Sequence, residues 1–416
     1  MAKIYHADLY GSRQDKYDFL MSHDVTTIQW KEVKSKSPFY LFFPQDTDLL
    51  AEYNQGWKIT EIMPINSVGI VTARDSLTIH WSAKEVEETV KDFMSLSEDK
   101  ARSKYKLGKD ARDWKVKLAQ EDLESKGVEK NLVHSVFYRL FDRRYTYYTG
   151  KTRGFICMPR FEVMRNFVSR QNIGFYTCRQ IVSESWQHIG VSAGLTDDCY
   201  LSNKSRERGY LLPLYIYPDT ENEQQSLFTE PTTNFSQNFL NAIRDKLGYI
   251  PTPEQIFDYA YAIFHSPTYR QRYAEFLKID FPHLPLTSND NLFKDLVKKG
   301  EELVKLHLME SKRLNTLITK YSGEGDNQVM QVKYNPKQQR VYINKTRYFE
   351  GIPLEIWEFK IGGYQVLDKW LKDRKKAQRS LSFDEILHYQ RVVVALTETR
   401  KIMREIDELI PSFPIS

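Results

Sequence analysis

The pattern of apolar residues changes after Tyr217, and that change limits the fold more than any other feature. Between Val133 and Tyr217 the chain is rich in β-branched and aromatic residues, with turn-forming residues at intervals. This pattern is typical of several short strands. From Gln237 onward the apolar residues mostly follow helical spacing. Strands followed by helices predict an α+β fold, in which a β-rich lobe precedes a helical lobe.

Local signals place individual elements within this order. The segment Ser382–Leu409 begins with a capping-box pattern and predicts a long terminal helix. An Asn-Pro turn predicts a hairpin over 331–344. Farther upstream, the alternation in 66–81 predicts two strands joined by a turn near Arg74–Ser76.

The same patterns divide the 416 residues into four parts. Residues 1–44 contain a short strand, a helix and a linker with prolines at both ends. Residues 45–246 form a β-rich lobe with inserted helices, and 247–320 form a helical lobe. Residues 321–416 combine the hairpin with long helices. This arrangement predicts a bilobal clamp.

The net charge of +5 is small, but the charges are unevenly distributed. The segment 137–180 carries nine basic and two acidic residues, a net charge of +7, and 361–376 carries a second basic cluster. Concentrated basic segments in a nearly neutral chain indicate a polyanionic partner. A solvated charged face is the alternative interpretation.

The segment 361–376, IGGYQVLDKWLKDRKK, joins a glycine pair to an amphipathic helix. Gly362 and Gly363 permit a sharp turn, or a close approach of the backbone to a ligand. Helical spacing predicts an apolar face made by Tyr364, Leu367, Trp370 and Leu371. The basic side chains of the segment include Lys369, Lys372, Arg374 and Lys375. The segment is therefore either an ordinary surface helix or a helix that lies against nucleic acid.

A second cluster, Phe137–Tyr148 or FYRLFDRRYTYY, places arginines beside tyrosines. Arginine can donate two hydrogen bonds to guanine or bind a phosphate, and tyrosine adds a flat ring and a hydroxyl. The alternative is an edge strand with salt-bridged arginines. Arg179-Gln180 offers a further donor set on a β-element. Asp197 is interpreted as an aspartate that caps a turn, and the alternatives are an acceptor for cytosine N4 or half of a catalytic pair with Asp198.

Motifs for catalysis and metal binding are missing from the sequence. Cys157, Cys178 and Cys199 are widely separated and form no CxxC pair, so we expect reduced thiols in a cytoplasmic protein. Gly150-Lys151-Thr152 lacks the upstream glycine of a P-loop, because Tyr145 occupies that position. The sequence has no apolar run long enough to cross a membrane.

Several long motifs, in the expected order, resemble the C-terminal specificity region of Type ISP restriction–modification enzymes. Members of that family are single chains with nuclease, translocase, adenine methyltransferase and target-recognition parts. The resemblance covers nearly the whole chain, although Leu140 replaces a proline that is usual in the family. Its motifs are Lys3–Tyr17, Phe137–Tyr148, Ile256–Leu286, and Ile361–Lys376 together with Asn344, Tyr348, Phe349 and Trp357 before it.

The resemblance implies a module that recognises double-stranded DNA and directs an adenine N6-methyltransferase and a coupled nuclease to its site. Residues 1–44 would then be the end of the methyltransferase domain. The Asn/Asp-Pro-Pro-Tyr/Phe loop of such methyltransferases is missing, so we expect no enzymatic activity from this chain by itself. We expect no cofactor in this chain, whereas S-adenosylmethionine, ATP and Mg would bind to the other domains of the parent enzyme.

The predicted DNA-binding residues combine the basic clusters with the turns between them. They are Arg139, Arg143, Arg144, Tyr147, Lys151, Arg153, Arg179, Gln180, Asp197, Gly362, Gly363, Tyr364, Lys369, Lys372, Arg374 and Lys375. Two alternative functions remain open from the sequence. One is a protein-interaction scaffold of a DNA-processing complex, and the other is a methyltransferase or nuclease chain with unrecognised motifs.

Overall fold

A computed structural model describes residues 3–35, 37, 40–44, 48–218 and 230–415. The chain divides into two units, Met1–Ala51 and Glu52–Ser416. In the first unit, strand Ile4–His6 pairs antiparallel with strand Lys31–Val33. Along the chain, helix Arg13–Ser22 comes between these two strands, and it begins with a capping box at Ser12. The finer division predicted from the sequence, with boundaries after residues 44, 246 and 320, stays a prediction.

Two small sheets form the β-rich part of the second unit. One sheet has the strand order Ser67–Val68, Gly209–Pro213, Gly174–Cys178 and Ile189–Ser192, and all its pairings are antiparallel. Every residue of Gly174–Cys178 and Ile189–Ser192 is buried, as expected for strands covered on both faces. The other sheet has the order Asp142–Tyr147, Val133–Arg139 and Leu195–Thr196. We call the antiparallel pair Val133–Arg139 and Asp142–Tyr147 the arginine hairpin.

The helical part is built around two helices in close contact. Helix Pro253–His265 starts at a proline after a capping box, and it packs against helix Asp290–His307. Gly300 makes the close approach possible, because a Cβ atom there would lie 1.8 Å from the carbonyl oxygen of Asp258. The terminal helix, Phe383–Leu409, packs against both helices.

The C-terminal hairpin predicted from the sequence is confirmed as part of a larger sheet. Its strands Lys333–Asn335 and Arg340–Tyr342 are followed in the sheet by Tyr348–Glu350 and Lys320–Ser322, all antiparallel. One face of this sheet packs against the terminal helix, where the ring centroids of Phe349 and Tyr389 are 4.4 Å apart. The capping box predicted at the start of the terminal helix is present.

The remaining elements are short. The helices are Leu50–Tyr53, Ile59–Ile62, Asp75–Thr78, Ala83–Ser95, Glu98–Lys104, Val116–Lys126, Phe161–Met164, Gln237–Leu247, Pro267–Arg272, Ala274–Leu277, Leu354–Trp357 and Val366–Lys376, with 3-10 turns at Lys130–Leu132 and Lys312–Asn315. The two-stranded pairs are Trp57–Lys58 with His283–Leu284, Tyr215–Ile216 with Thr232–Thr233, and Lys360–Ile361 with Tyr364–Gln365. The fold is α+β, as predicted.

The prediction of two strands in 66–81 is wrong in its second half. Asp75–Thr78 is one helical turn, and the amide of Thr78 donates a hydrogen bond to the carbonyl oxygen of Arg74. The negative charge of Asp75 in the first turn favours this conformation. Beyond it only His80 makes a β-bridge, to Tyr145 of the arginine hairpin.

Candidate nucleic-acid interface

Three connecting segments meet at one end of the sheet that contains Gly174–Cys178. The loops 179–188 and 197–208 leave this end of the sheet, and the turn 361–364 lies against both. The amide of Gly362 donates a hydrogen bond of 2.8 Å to the carbonyl oxygen of Gln187. The amide of Gly363 donates one of the same length to the carbonyl oxygen of Leu201. We call these segments together the three-loop surface.

The glycine pair is required by contacts within the chain. Gly362 has a positive φ of 60°, and a Cβ atom there would lie 2.1 Å from the carbonyl oxygen of Leu201. A Cβ atom at Gly363 would lie 2.3 Å from Oγ of Ser202. The sequence suggested a close approach to a ligand, whereas the approach in the structure is to the chain's own loop. Tyr364 is buried beside them and donates a hydrogen bond of 2.9 Å to the carbonyl oxygen of Cys199.

A buried carboxylate, Glu207, lies behind the three-loop surface. Its Oε1 accepts hydrogen bonds from the amides of Val182 and Ser183, both at 2.8 Å, and from Oγ of Ser183. Its Oε2 accepts from Oγ of Ser202 at 2.5 Å and lies 3.0 Å from Nε2 of His188. Burial alone would raise the pKa of Glu207, but the donors from His188, Ser202 and Ser183 hold it well below its ordinary value.

Some polar side chains on this surface are held by neighbours. Arg179 donates to Asp280 at 3.2 Å, Arg208 to Asp198 at 3.0 Å, and Lys204 to Ser183 at 2.7 Å. Other exposed polar side chains form no hydrogen bond or ion pair with any residue that the structure describes, namely Gln180, Glu184, Asn203, Ser205 and Arg206. Loop 203–208 is not among the residues predicted from the sequence, although its basic residues just before Gly209 were a usable signal.

Asp197 lies under the same surface and caps a turn, as predicted. Its Oδ1 accepts hydrogen bonds from the amide of Cys199 at 2.9 Å and from Nη1 of Arg139 at 2.5 Å. Burial raises the pKa of Asp197 to about 7 although Arg139 opposes the shift, and the charges of Asp75 and Asp198 add to it. Asp197, Asp198 and Cys199 have potential metal-ligand atoms within 4.8 Å of one another.

A second polar feature is a groove of about 760 Å³ beside the arginine hairpin. Its other walls are the end of helix Asp290–His307, helix Val366–Lys376 and the start of the terminal helix. We call it the arginine groove, because it is lined by Arg139, Arg143, Arg374, Arg379 and Arg391. Arg143 is exposed, stacks 4.4 Å from the ring of Phe137, and donates to the carbonyl oxygen of Leu308 at 3.3 Å.

Two of the predicted DNA-binding arginines are instead engaged in a buried cluster at the wall of the arginine groove. Asp142 accepts hydrogen bonds from Nη2 of Arg144 at 2.8 Å and from Nη2 of Arg374 at 3.1 Å. Both guanidinium groups also lie over the ring of Trp81, at 3.7 and 5.0 Å. Burial alone would raise the pKa of Asp142, but Arg374 and Arg144 hold it below its ordinary value.

Other predicted residues lie away from these two features. Tyr147 is buried and donates a hydrogen bond of 2.6 Å to the carbonyl oxygen of Gly127. Lys151 and Arg153 follow the far end of the arginine hairpin, where Arg153 pairs with Asp113 at 3.2 Å. The structure therefore does not bring these three residues to the three-loop surface.

Helix Val366–Lys376, the basic helix, begins two residues after Tyr364. Trp370 is buried, as the sequence predicted for the apolar face. Lys369 pairs with Asp373, and Lys372 pairs with Asp368 at 2.6 Å. The side chains of Lys375 and Lys376 are exposed and have no hydrogen-bond or ion-pair partner among the described residues. The free positive charge of this helix is therefore at its C-terminal end.

Comparison with known families identifies the chain. The family model for the Type ISP C-terminal specificity domain matches residues 61–405, which is most of the chain. The chain belongs to this family. None of the curated proteins matches it. No helix within the described residues is both long and apolar enough to span a membrane.

Solved structures of similar fold support the assignment. A nuclease-deletion mutant of the Type ISP restriction-modification enzyme LlaGI, in complex with a DNA substrate mimic, has a TM-score of 0.69 at 18% identity and covers 100% of this specificity-domain chain. The DrdV–DNA complex has a TM-score of 0.69 at 19% identity over 94% of the chain. The ATP-dependent enzyme LlaBIII bound to DNA has a TM-score of 0.67 at 16% identity over 93% of the chain. This chain corresponds to 33%, 42% and 26% of those three chains.

Proposed function

We propose that this specificity domain recognises a specific sequence in double-stranded DNA and directs an adenine N6-methyltransferase and a coupled nuclease to it. The observation that carries the proposal is the three-loop surface. It presents exposed side chains, such as those of Gln180 and Arg206, that have no partner in the described part of the chain, on loops that are held by hydrogen bonds to Glu207. Specific recognition of base edges needs hydrogen-bonding side chains held in fixed positions.

The structure suggests a division of labour within the proposed interface. Lys375 and Lys376 offer free positive charge for phosphate contacts, which fix the position of the protein but carry no sequence information. Arg143 offers guanidinium donors on the wall of the arginine groove. The three-loop surface then supplies the contacts to bases. A clamp of two lobes around the duplex remains part of this proposal.

The similar solved structures are DNA complexes, which supports a DNA partner for this chain as well. The proposed second partner is the methyltransferase domain of the same enzyme. The first unit exposes apolar side chains that suit a protein contact, with Tyr10 80%, Met21 88% and Val25 73% exposed.

We further propose that the chain is not catalytic by itself, binds no cofactor, and acts in the cytoplasm. S-adenosylmethionine, ATP and Mg would bind elsewhere in the parent enzyme.

The test is equilibrium binding of the chain to a pool of random duplexes at increasing salt, followed by sequencing of the bound fraction. We expect enrichment of one sequence, and affinity that falls by orders of magnitude between about 50 and about 200 mM salt if several phosphates are contacted. Binding without sequence enrichment would contradict target recognition. A lack of duplex binding even at low salt would favour a protein-interaction scaffold instead.

A further inference from the structure

We propose that Glu207 is a positioning residue for base recognition, and that Gln180, Asn203 and Arg206 are the side chains it holds in place to contact base edges. The inference rests on the proposed function and deepens it, because it assigns the reading side chains and the group that preorganises them. Asn203, Arg206 and Glu207 lie outside the basic clusters that were evident from the sequence.

Glu207 joins two loops that have no regular secondary structure of their own. Loop 179–188 provides the amides of Val182 and Ser183, the hydroxyl of Ser183 and the ring of His188. Loop 197–208 provides Glu207 itself and the hydroxyl of Ser202. One carboxylate therefore fixes the position of both loops relative to each other. We call the hydrogen bonds between Glu207 and these two loops the junction. Hydrogen bonds to a buried charge are among the stronger ones in proteins, so the junction is well suited to hold the loops in place.

The turn 361–364 closes the junction from a third side. A Cβ atom at Gly363 would lie 3.2 Å from Oε2 of Glu207, which is closer than most Cβ contacts, so a side chain there would have to displace the carboxylate slightly. The start of loop 179–188 has a separate anchor, because the amide of Ile181 donates to the carbonyl oxygen of Lys278 at 3.0 Å. Gln180 therefore lies between the end of strand Gly174–Cys178 and the backbone anchored at Ile181.

The three proposed reading side chains carry N–H donors and have no partner among the described residues, whereas Glu184 and Ser205, which also have none there, lack such donors. Arg179, Lys204 and Arg208 are each held by a hydrogen bond within the protein. Gln180, Asn203 and Arg206 are exposed and make no such contact with described residues. An arginine with free donors suits guanine O6 and N7, and a free amide side chain suits adenine N6 and N7. We therefore expect Arg206 to read a G·C pair and Gln180 or Asn203 to read an A·T pair.

A first measurement tests the junction without DNA. Hydrogen exchange of the Val182 and Ser183 amides is compared in the wild-type chain, in Glu207→Gln and in Thr399→Val. The control removes a buried hydroxyl that lies 2.9 Å from Nε2 of His307 in another part of the fold. We expect exchange at Val182 and Ser183 to rise about 10- to 100-fold in Glu207→Gln only, since the acceptor loses its charge and one of its two oxygens becomes an NH2 group. Unchanged protection in Glu207→Gln would overturn the positioning role.

A second measurement tests base recognition. Random-duplex selection with Glu207→Gln is expected to lose sequence preference at several positions, while the salt dependence of binding stays as in the wild type. Arg206→Gln is expected to lose preference at one G·C pair only, and Thr399→Val at none. If Glu207→Gln does not fold, Ser183→Ala is used in its place in both measurements. Ser183→Ala removes a single hydrogen-bond donor to Glu207.

The outcomes separate this inference from the proposed function. A wild-type chain with a sequence preference that Glu207→Gln and Arg206→Gln both retain would overturn the inference alone. A wild-type chain without any sequence preference would overturn the proposed function, and the inference with it. Loss of preference in Glu207→Gln together with an equal loss in Thr399→Val would show that reduced stability, and not loop position, governs recognition.

Discussion

Arg374 of the basic helix donates a hydrogen bond of 3.1 Å to Asp142 of the arginine hairpin, 232 residues earlier in the chain. Both residues are buried, with 5% and 2% of their surface exposed. Because Asp142 also accepts from Arg144, one carboxylate compensates two buried guanidinium groups. This contact joins the two most basic segments of the sequence into one block, and it explains why part of their charge is not available to a ligand.

We predict that Asp142→Asn lowers the free energy of unfolding by about 3–5 kcal/mol, because the buried Arg144 and Arg374 lose their nearest carboxylate. The carboxylates that remain, Asp373 and Glu385, lie farther away at 3.8 and 3.5 Å. Urea denaturation measures the change. The control is Asp368→Asn, which breaks a helix-surface pair with the exposed Lys372 and should cost less than about 1 kcal/mol. Equal costs for the two variants would mean that the buried cluster contributes no more than a surface pair.

The sequence predicted well what is specified locally. The terminal helix and the C-terminal hairpin were predicted because a capping box and an Asn-Pro turn act within a few residues. The sequence also indicated a sharp turn at the glycine pair, but it did not indicate the residues against which that turn packs. Leu201 and Ser202, which require the glycines, lie about 160 residues away in the sequence, so no local pattern indicates them.

The candidate interface was only partly predictable for the same reason. Arg139, Arg144 and Arg374 were chosen for their charge, and the structure shows each paired with a carboxylate, whereas the exposed Arg206 was overlooked in a polar loop. Charge type is visible in a sequence. Whether that charge is already compensated depends on tertiary contacts, which the sequence does not show directly.

The glycine turn gives a second prediction, by double-mutant cycle. Gly363→Ala should destabilise the protein clearly, since the new Cβ atom would lie 2.3 Å from Oγ of Ser202. Ser202→Ala removes that oxygen, so Gly363→Ala should lower the free energy of unfolding by a smaller amount in the Ser202→Ala background. We expect a coupling free energy of roughly 0.5–3 kcal/mol between the two substitutions. Thermal or urea denaturation of the four proteins measures it. Strictly additive costs would show that the overlap with Ser202 is not what requires glycine at this position.

A third prediction concerns pH. Burial, with the charge of Glu301 adding to it, raises the pKa of Asp258 from 3.8 to about 7, although Lys305 opposes the shift. The folded state therefore binds this proton more tightly than the unfolded state does, and the stability it contributes is lost as the pH rises from about 4 through 7. Asp258→Asn should be more stable than the wild type at about pH 8, by on the order of 1–3 kcal/mol, and the difference should shrink toward about pH 5. Urea denaturation at both pH values decides; a difference that does not depend on pH would contradict the assignment to Asp258.

The last prediction tests the division of labour at the proposed DNA interface. Lys375→Gln and Lys376→Gln remove exposed charges that have no partner among the described residues at the end of the basic helix. If each contacts a phosphate, each variant should reduce the slope of log affinity against log salt by roughly 0.9, and it should weaken preferred and random duplexes by the same factor. The matched control is Lys117→Gln, an exposed lysine on helix Val116–Lys126 that pairs weakly with Glu121 at 3.9 Å. Duplex binding over a salt series gives both quantities. A change of base preference in the Lys375 or Lys376 variants, or an equal loss in the Lys117 variant, would remove the end of the basic helix from the set of phosphate contacts.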